Sequence, residues 1–261
     1  MRALDIAATG LSAQQTNVDA ISQNLANSTT TGFKAERPEF QDLLYQDLRR
    51  AGNNSTDQGT VLPVGIQIGL GVKTGAISRD TGQGTVKATE NALDVAIQGR
   101  GYFQIQLPDG STAYSRDGTF KLSPEGIVVT NNGYVVQPAI TVPNNAISVS
   151  INQSGQVEVN LQGQTDPTQL GQLQLATFVN PNGLEALGDN MFVETAASGN
   201  PLTNNPGLDG TGTLLQGYLE NSNVNPVTEI TNLIVAQRAY EMNTKVLTAV
   251  DKMLQSLNQS A

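Results

Sequence analysis

The apolar residues at both ends of the chain recur at heptad spacing, and this pattern constrains the fold more than any other feature. Near the start the seam consists of Leu4, Leu11, Val18 and Leu25, with Ala7, Gln14 and Ile21 at the intermediate position. Near the end it consists of Leu233, Tyr240, Leu247 and Leu254, with Ala236, Asn243, Val250 and Leu257 beside them. Such a/d seams predict a helix over residues 3–27 and a longer one that opens at Asn225-Pro226, and they predict that the two helices pair.

The middle of the chain changes to a period of two. Residues 147–151 and 157–161 alternate apolar and polar side chains, which is typical of strands. Turn sequences punctuate this stretch at Pro108-Asp109-Gly110, Arg116-Asp117-Gly118, Asn131-Asn132-Gly133 and Pro181-Asn182-Gly183. We therefore expect an α+β chain, with paired, coiled-coil-like terminal α-helices and a central, mainly antiparallel β domain.

The expected boundaries follow from these changes in pattern. Residues 1–45 form an N-terminal helical segment of the inner core. A second short helix is expected over Pro38–Arg49, because Phe40, Leu43, Leu44 and Leu48 share one helical face. Residues 46–64 form an extended linker or stiffening stretch. Residues 65–216 form the β domain, and residues 217–261 carry the C-terminal helix, with Asn225 as its N-cap.

Composition excludes several functions. The chain has 261 residues, a formal net charge of -9, and neither Cys nor His. The negative charge argues against binding to nucleic acid or to an anionic membrane. The missing side chains exclude disulfides, thiol catalysis, Cys or His zinc sites and any mechanism that needs imidazole. No apolar run is long enough to span a membrane, and polar residues interrupt the first helix, so no cleaved signal peptide is expected.

The candidate catalytic motifs have simpler interpretations. Gly69-Leu70-Gly71 and Gly99-Arg100-Gly101 each contain G-x-G, but neither opens a helix, so bends in strands are favoured over phosphate loops. Ser115-Arg116-Asp117-Gly118 lacks a partner base, so a hairpin corner at Asp117-Gly118 is favoured. A catalytic pair of Asp or Glu side chains, as glycosidases use, stays open as an alternative, although nothing in the sequence indicates which two carboxylates would form it. We therefore predict no enzyme and no catalytic, cofactor-binding or metal-binding residue.

Two long terminal motifs resemble a known family. The segment A-A-T-G-L-S-A-Q-Q-T-N-V-D-A-I-S-Q-N-L-A-N-S-T-T-T-G-F-K (Ala7 to Lys34) is similar to the opening of bacterial flagellar rod, hook and hook-associated proteins. The segment L-E-N-S-N-V-N-P-V-T-E-I-T-N-L-I-V-A-Q-R-A-Y-E-M-N-T-K (Leu219 to Lys245) resembles their closing signature. Between them, Y-S-R-D-G-T-F (Tyr114 to Phe120) and V-T-N-N-G-Y-V-V (Val129 to Val136) look like the central β motifs of the family.

This resemblance implies a structural subunit of the basal body. The length and the middle sequence are most similar to subunits of the distal rod, a rigid shaft that transmits torque across the periplasm. The implied partners are further copies in a helical homopolymer, neighbouring rod and hook subunits, and surrounding ring proteins that act as a bushing. Export through the flagellar type III apparatus, without a cleaved signal, is implied as well.

The heptad seams and the resemblance together predict the self-assembly residues. These are Leu4, Leu11, Val18, Ile21, Leu25, Leu233, Arg238, Tyr240, Glu241, Leu247, Val250 and Leu254. Arg238 and Glu241 are expected to make polar contacts along or between helices, and a solvated face is the simpler alternative. Three alternative functions stay open: a proximal rod or hook subunit of the same family, a β-rich adhesin or fibre that forms a closed oligomer, and an enzyme acting on peptidoglycan.

Overall fold

The computed structural model describes residues 2–49, 64–164 and 166–260, and it divides the chain into two compact units. We call Met1–Ala26, Glu36–Ser78 and Asn225–Ala261 the terminal unit, and Asn27–Ala35 with Arg79–Val224 the central unit. The first contains both helices and the second most of the strands. The longer stretch of the central unit begins at Arg79, and the domain boundaries expected from the sequence pattern stay a prediction.

The terminal unit combines two long helices with two short ribbons. Its elements are α1 (Arg2–Ala26), β1 (Glu36–Asp42), β2 (Tyr45–Arg49), β3 (Ile66–Gly69), β4 (Val72–Arg79) and α2 (Pro226–Ser260). β1 pairs with β4, and β2 pairs with β3 in antiparallel fashion. The predicted helix over Pro38–Arg49 is therefore wrong. Its apolar side chains lie instead on ribbons whose partner strands come later in the chain, and Pro38 is tolerated because β1 pairs along one edge only.

Local signals determine where the helices begin and end. The Asn225 Oδ1 atom accepts hydrogen bonds from the backbone N–H groups of Val227 and Thr228, at 3.1 and 3.4 Å, so Asn225 is the N-cap of α2 as predicted. α1 ends at Ala26, and a turn follows in which Gly32 has a φ of 71°. α1 and α2 pack against each other over much of their length.

The central unit is built almost entirely from short antiparallel strands. They are β5 (Val86–Ala88), β6 (Val95–Gln98), β7 (Tyr102–Gln106), β8 (Thr112–Ser115), β9 (Lys121–Leu122), β10 (Val128–Val129), β11 (Val135–Gln137), β12 (Ala146–Ile151), β13 (Gln156–Leu161), β14 (Thr168–Gln172), β15 (Leu175–Thr177), β16 (Glu185–Gly188), β17 (Met191–Val193), β18 (Leu202–Asn204), β19 (Thr213–Gln216) and β20 (Tyr218–Glu220). Pro181–Gly183 forms one 3-10 turn.

These strands form one large sheet and several small ones. The large sheet runs in the order β16-β17-β8-β7-β11-β10-β9, and β15 joins it through β7 and β18. β12, β13 and β14 form a three-stranded sheet, and β19 pairs with β6 and β20 with β5. The main core is mostly aliphatic and includes Ile97, Val136, Val159, Leu175 and Leu214. The α+β class is thereby confirmed.

The predicted turns have mixed outcomes. Pro108-Asp109-Gly110 connects β7 to β8, and Asn131-Asn132-Gly133 connects β10 to β11, each as a hairpin. The predicted hairpin corner at Asp117-Gly118 is wrong, because β8 pairs with β7 and β17 and not with the strand that follows it. Gly118 serves another purpose there: a Cβ atom at this position would lie 1.7 Å from the Val95 carbonyl oxygen.

Candidate assembly surface

The contact between α1 and α2 is close because small residues line α1. Ala7, Ala13 and Ala20 are buried in α1, and Gly10 faces Asn243 of α2. A Cβ atom added at Gly10 would lie 3.1 Å from the Asn243 Nδ2 atom, which is tighter than an ordinary van der Waals contact. Small side chains allow two helix backbones to approach each other, so this face is shaped for a helix neighbour.

Asn24 joins the end of α1 to the start of β1. Its Nδ2 atom donates to the Glu36 carbonyl oxygen at 2.8 Å, and its Oδ1 atom accepts from the Glu36 N–H at 2.8 Å. The same Nδ2 atom lies 3.4 Å from the Glu229 Oε2 atom of α2. The side chain is almost wholly buried. The Asn24 amide thus connects α1 to two other elements of the terminal unit, β1 and α2, and it satisfies the backbone polar groups of Glu36.

The inner face of α2 corresponds to the predicted heptad seam. Ala236 is 1% exposed, and Leu233, Leu247, Val250 and Leu254 are partly buried. In α1, Ile21 is buried, and Leu4, Leu11, Val18 and Leu25 are partly buried. A single chain therefore shields these seams only in part, and the apolar surface that stays in water favours contact with further helices.

The other predicted assembly residues include Tyr240, which the heptad pattern placed in the seam and which is 41% exposed in the single chain. Arg238, Tyr240 and Glu241 are exposed on α2, so a single chain does not bring them together with the seam residues. Their exposure leaves them available for contacts with another chain.

An outward-facing apolar stripe on α2 was missed by the sequence analysis. Val235, Met242, Val246 and Met253 recur at intervals of seven, four and seven residues, and the first two are 62% and 60% exposed. At 3.6 residues per turn they lie about 100° around the helix from the inner seam. We call these four residues the outer stripe. The signal that would have revealed it is a second heptad series beside the first.

The β2–β3 ribbon also exposes apolar side chains. Leu44, Tyr45, Leu48, Val64 and Ile66 are all exposed in or beside these two strands. An isolated two-stranded ribbon is marginally stable in water, so this ribbon favours cover by a neighbour. The predicted stiffening stretch, residues 46–64, begins in β2, and its residues 50–63 lie outside the described part of the chain.

A cavity of about 210 Å³ in the central unit is lined by Lys34, Arg116 and their neighbours. A smaller cavity of about 30 Å³, which is room for roughly one water molecule, is lined by polar and apolar side chains that include Asp117 and Asp189. Burial raises the pKa of Asp117, and hydrogen bonds from Thr119 oppose that rise. Among the described residues, no group of three or more acidic side chains could hold a metal ion. No helix among them is long and apolar enough to cross a bilayer.

Three family models match successive parts of the chain. Residues 4–34 match the flagella basal body rod protein family. Residues 96–159 match the D1 domain of the flagellar hook protein FlgE/F/G family. Residues 215–260 match the C-terminal region of the flagellar basal body rod FlgEFG proteins. The first and third models thus cover most of α1 and α2, the helices that carry the seams.

Full-length relatives give the same result. The flagellar basal-body rod protein FlgG of Caulobacter vibrioides is 55% identical over 99% of both chains. The protein of the same name from Buchnera aphidicola subsp. Schizaphis graminum is 52% identical over 97% of both. That of Bacillus subtilis is 39% identical over 98% of both. The similarity therefore includes the terminal helices and the central strands together.

Proposed function

The chain belongs to the FlgG family of flagellar basal-body rod proteins, and we infer from this premise that it is a structural subunit of the distal rod. As a rod subunit it polymerises and meets neighbouring rod and hook subunits. Its relatives are named as rod proteins and not as enzymes. The following paragraphs propose how its residues perform that task.

The observation that carries the proposal is the outer stripe. Val235, Met242, Val246 and Met253 remain in water although α1 already covers another face of the same helix. Covering such side chains contributes up to about 1.5–3 kcal/mol each when burial is complete. We propose that helices of neighbouring copies cover the outer stripe and bury the apolar surface of the seams that a single chain leaves exposed.

The predicted self-assembly residues divide into two tasks under this proposal. The seam residues, such as Leu247 and Leu254, hold α1 and α2 together and present their remaining apolar surface to a neighbour. Tyr240, Arg238 and Glu241 contact another copy directly, since all three are exposed in the single chain. An inner seam and an outer stripe on different faces allow contacts that do not close on themselves, and repetition of such contacts yields an open helical polymer.

The finer parts of the function are proposals as well. We propose that residues 46–64 insert between subunits and stiffen the shaft, because the part of this stretch in β2 exposes Leu48. We also propose that the polymer transmits torque across the periplasm, that ring proteins surround it as a bushing, and that subunits are exported without a cleaved signal peptide.

Electron microscopy of the purified, concentrated chain tests polymerisation. Open-ended filaments or sheets of variable length are the expected product, because the contacts are heterologous. Closed particles of one fixed size would contradict the proposal and favour an adhesin-like oligomer. A deletion within residues 50–63 should leave polymers that bend more easily, and unchanged bending stiffness would refute the stiffening role.

A further inference from the structure

Three charged side chains meet in the interior of the central unit. Arg116, Glu220 and Lys34 are 5%, 2% and 6% exposed. The Glu220 Oε1 atom lies 2.5 Å from the Lys34 Nζ atom, and the Glu220 Oε2 atom lies 2.9 and 2.8 Å from the Arg116 Nε and Nη2 atoms. One carboxylate therefore bridges two cations, and it contacts the guanidinium through two of its nitrogen atoms.

Backbone groups supply the remaining partners. The Lys34 Nζ atom donates to the Gly82 carbonyl oxygen at 2.8 Å, and the Arg116 Nη1 atom donates to those of Gly99 and Gly101 at 2.8 and 2.7 Å. The Glu220 Oε1 atom also accepts from the Gly84 N–H at 2.9 Å. The excess positive charge is thus spread over carbonyl dipoles, and each charged group has several partners.

The cluster joins two stretches that are remote in sequence. Residues 27–35 follow α1 and residues 218–224 precede α2. They are linked by hydrogen bonds from the Gly32 N–H to the Glu220 carbonyl oxygen, at 2.8 Å, and from the Ala35 N–H to the Asn223 Oδ1 atom, at 2.7 Å. The Asn223 Nδ2 atom in turn donates to the carbonyl oxygens of Asp80 and Gly82, at 3.0 and 3.1 Å. We call these two stretches the junction.

Such a cluster contributes little net stability, yet the loss of one member is costly. Buried ion pairs can often be replaced by apolar side chains without loss, whereas removal of one partner leaves an uncompensated buried charge. Glu220 lies 186 residues from Lys34 and 104 residues from Arg116 in sequence. A shift of one stretch by a single residue would separate these charges and leave a buried charge without its partner.

We propose that Arg116, Glu220 and Lys34 form a positioning site that fixes the register of the junction, from which both terminal helices continue. We expect loss of this register to impair polymerisation as well; that step rests on the proposed function, whereas the register itself does not. Arg116 provides the fixed point, since it is also held by the loop that carries Gly99 and Gly101. Lys34 and Glu220 then align the two stretches of the junction on it.

Hydrogen exchange on the unassembled chain tests this assignment. Glu220→Gln and Lys34→Met remove a charge at nearly constant size, and Glu125→Gln is the control because Glu125 is exposed. We expect hydrogen exchange of the Gly32 and Ala35 amides to accelerate at least about tenfold in both test variants. This factor corresponds to the free energy lost when a hydrogen bond to a charged group is removed. Amides of β7, at the centre of the large sheet, should change by less than about threefold.

Two results would overturn the proposal. Equal acceleration in β7 and the junction would show that the cluster only supports global stability, and unchanged junction exchange would show that apolar packing sets the register.

Polymerisation assays on the same variants test whether the register of the junction is needed for assembly. Slower or absent polymerisation supports it, and normal polymerisation despite a loosened junction refutes it. Because exchange is measured without assembly, failure of the wild-type chain to polymerise would refute the proposed function and leave the register result intact.

Discussion

Gly10 of α1 lies so close to Asn243 of α2 that a single methyl group at Gly10 would come within 3.1 Å of the Asn243 amide nitrogen. Asn243 occupies a seam position that an apolar residue would normally fill. A polar residue at one such position specifies helix register at some cost in stability. This pair therefore aligns the two ends of the chain with each other.

Substitutions at Gly10 should separate the gain in helix propensity from the steric cost of a side chain between the helices. Gly10→Ala gains helix propensity of up to about 1 kcal/mol and meets a close contact, so we expect little net change in stability. Gly10→Leu has no room, and we expect it to destabilise the terminal unit by roughly 1–3 kcal/mol. Urea unfolding followed by far-ultraviolet circular dichroism measures both. Equal stabilities for the Leu and Ala variants would show that the helices do not approach closely at this point.

Asn24 should be far less replaceable than a surface amide. Asn24→Ala leaves the partly buried N–H and carbonyl groups of Glu36 without the Asn24 side chain, and we expect the free energy of unfolding to fall by about 1–3 kcal/mol. Gln15→Ala is the matched control, because the Gln15 amide is exposed and bonds only within its own helix. Chemical denaturation of the three chains provides the comparison. If Asn24→Ala lowers the free energy of unfolding by less than about 0.5 kcal/mol, water replaces the hydrogen bonds of the Asn24 side chain.

The inner seam and the outer stripe should respond differently to charge. Leu247→Asp and Leu254→Asp place a carboxylate in the helix pair, so each should destabilise the terminal unit by at least about 2 kcal/mol and abolish assembly. Met242→Asp should abolish assembly with little effect on the stability of the single chain, because Met242 is exposed. The central unit should stay folded in all three variants. Sedimentation and near-ultraviolet circular dichroism, measured together, distinguish these cases, and normal polymerisation of Leu254→Asp would disprove the seam assignment.

Asp117 should make stability depend on pH in the acid range. Burial raises the pKa of this carboxyl above 3.8, so its contribution to folding is complete below pH 3.8 and is lost as the pH rises through the folded-state pKa. Asp117→Asn keeps an oxygen acceptor for Thr119 and cannot ionise. We therefore expect the variant to be more stable than the wild type at pH 7, with the difference shrinking as the pH falls. Thermal unfolding at several pH values measures this stability difference. A difference that grows as the pH falls would contradict a raised pKa of Asp117.

The terminal helices were predictable because their signals are local and periodic. Leu233, Leu247 and Leu254 share one face whatever the rest of the chain does, and Asn225 caps α2 through its nearest neighbours. The ribbons around Phe40 and Leu48 were not predictable in this way. Their apolar side chains have helical spacing, yet the strands that pair with them come after residue 64, and tertiary pairing overrides local preference.

The buried cluster of Arg116, Glu220 and Lys34 could not be predicted either, because its members are distant in sequence. Arg116 looked like a turn residue because the neighbouring Asp and Gly are typical of turns. Its partner Glu220 is 104 residues away, and no spacing rule connects them. The outer stripe is a different case, since Val235, Met242, Val246 and Met253 are visible as a second heptad series once the helix is assigned.

Light scattering against concentration tests the central claim most directly, namely that copies of this chain cover each other's terminal helices. The wild type is compared with the double variant Met242→Asp/Val246→Asp, whose changes lie on the outer stripe. We expect the mass of the wild type to grow with concentration without a fixed limit, and the variant to remain monomeric with its central unit folded. A wild type that stays monomeric at every concentration, with both helices ordered, would contradict the account.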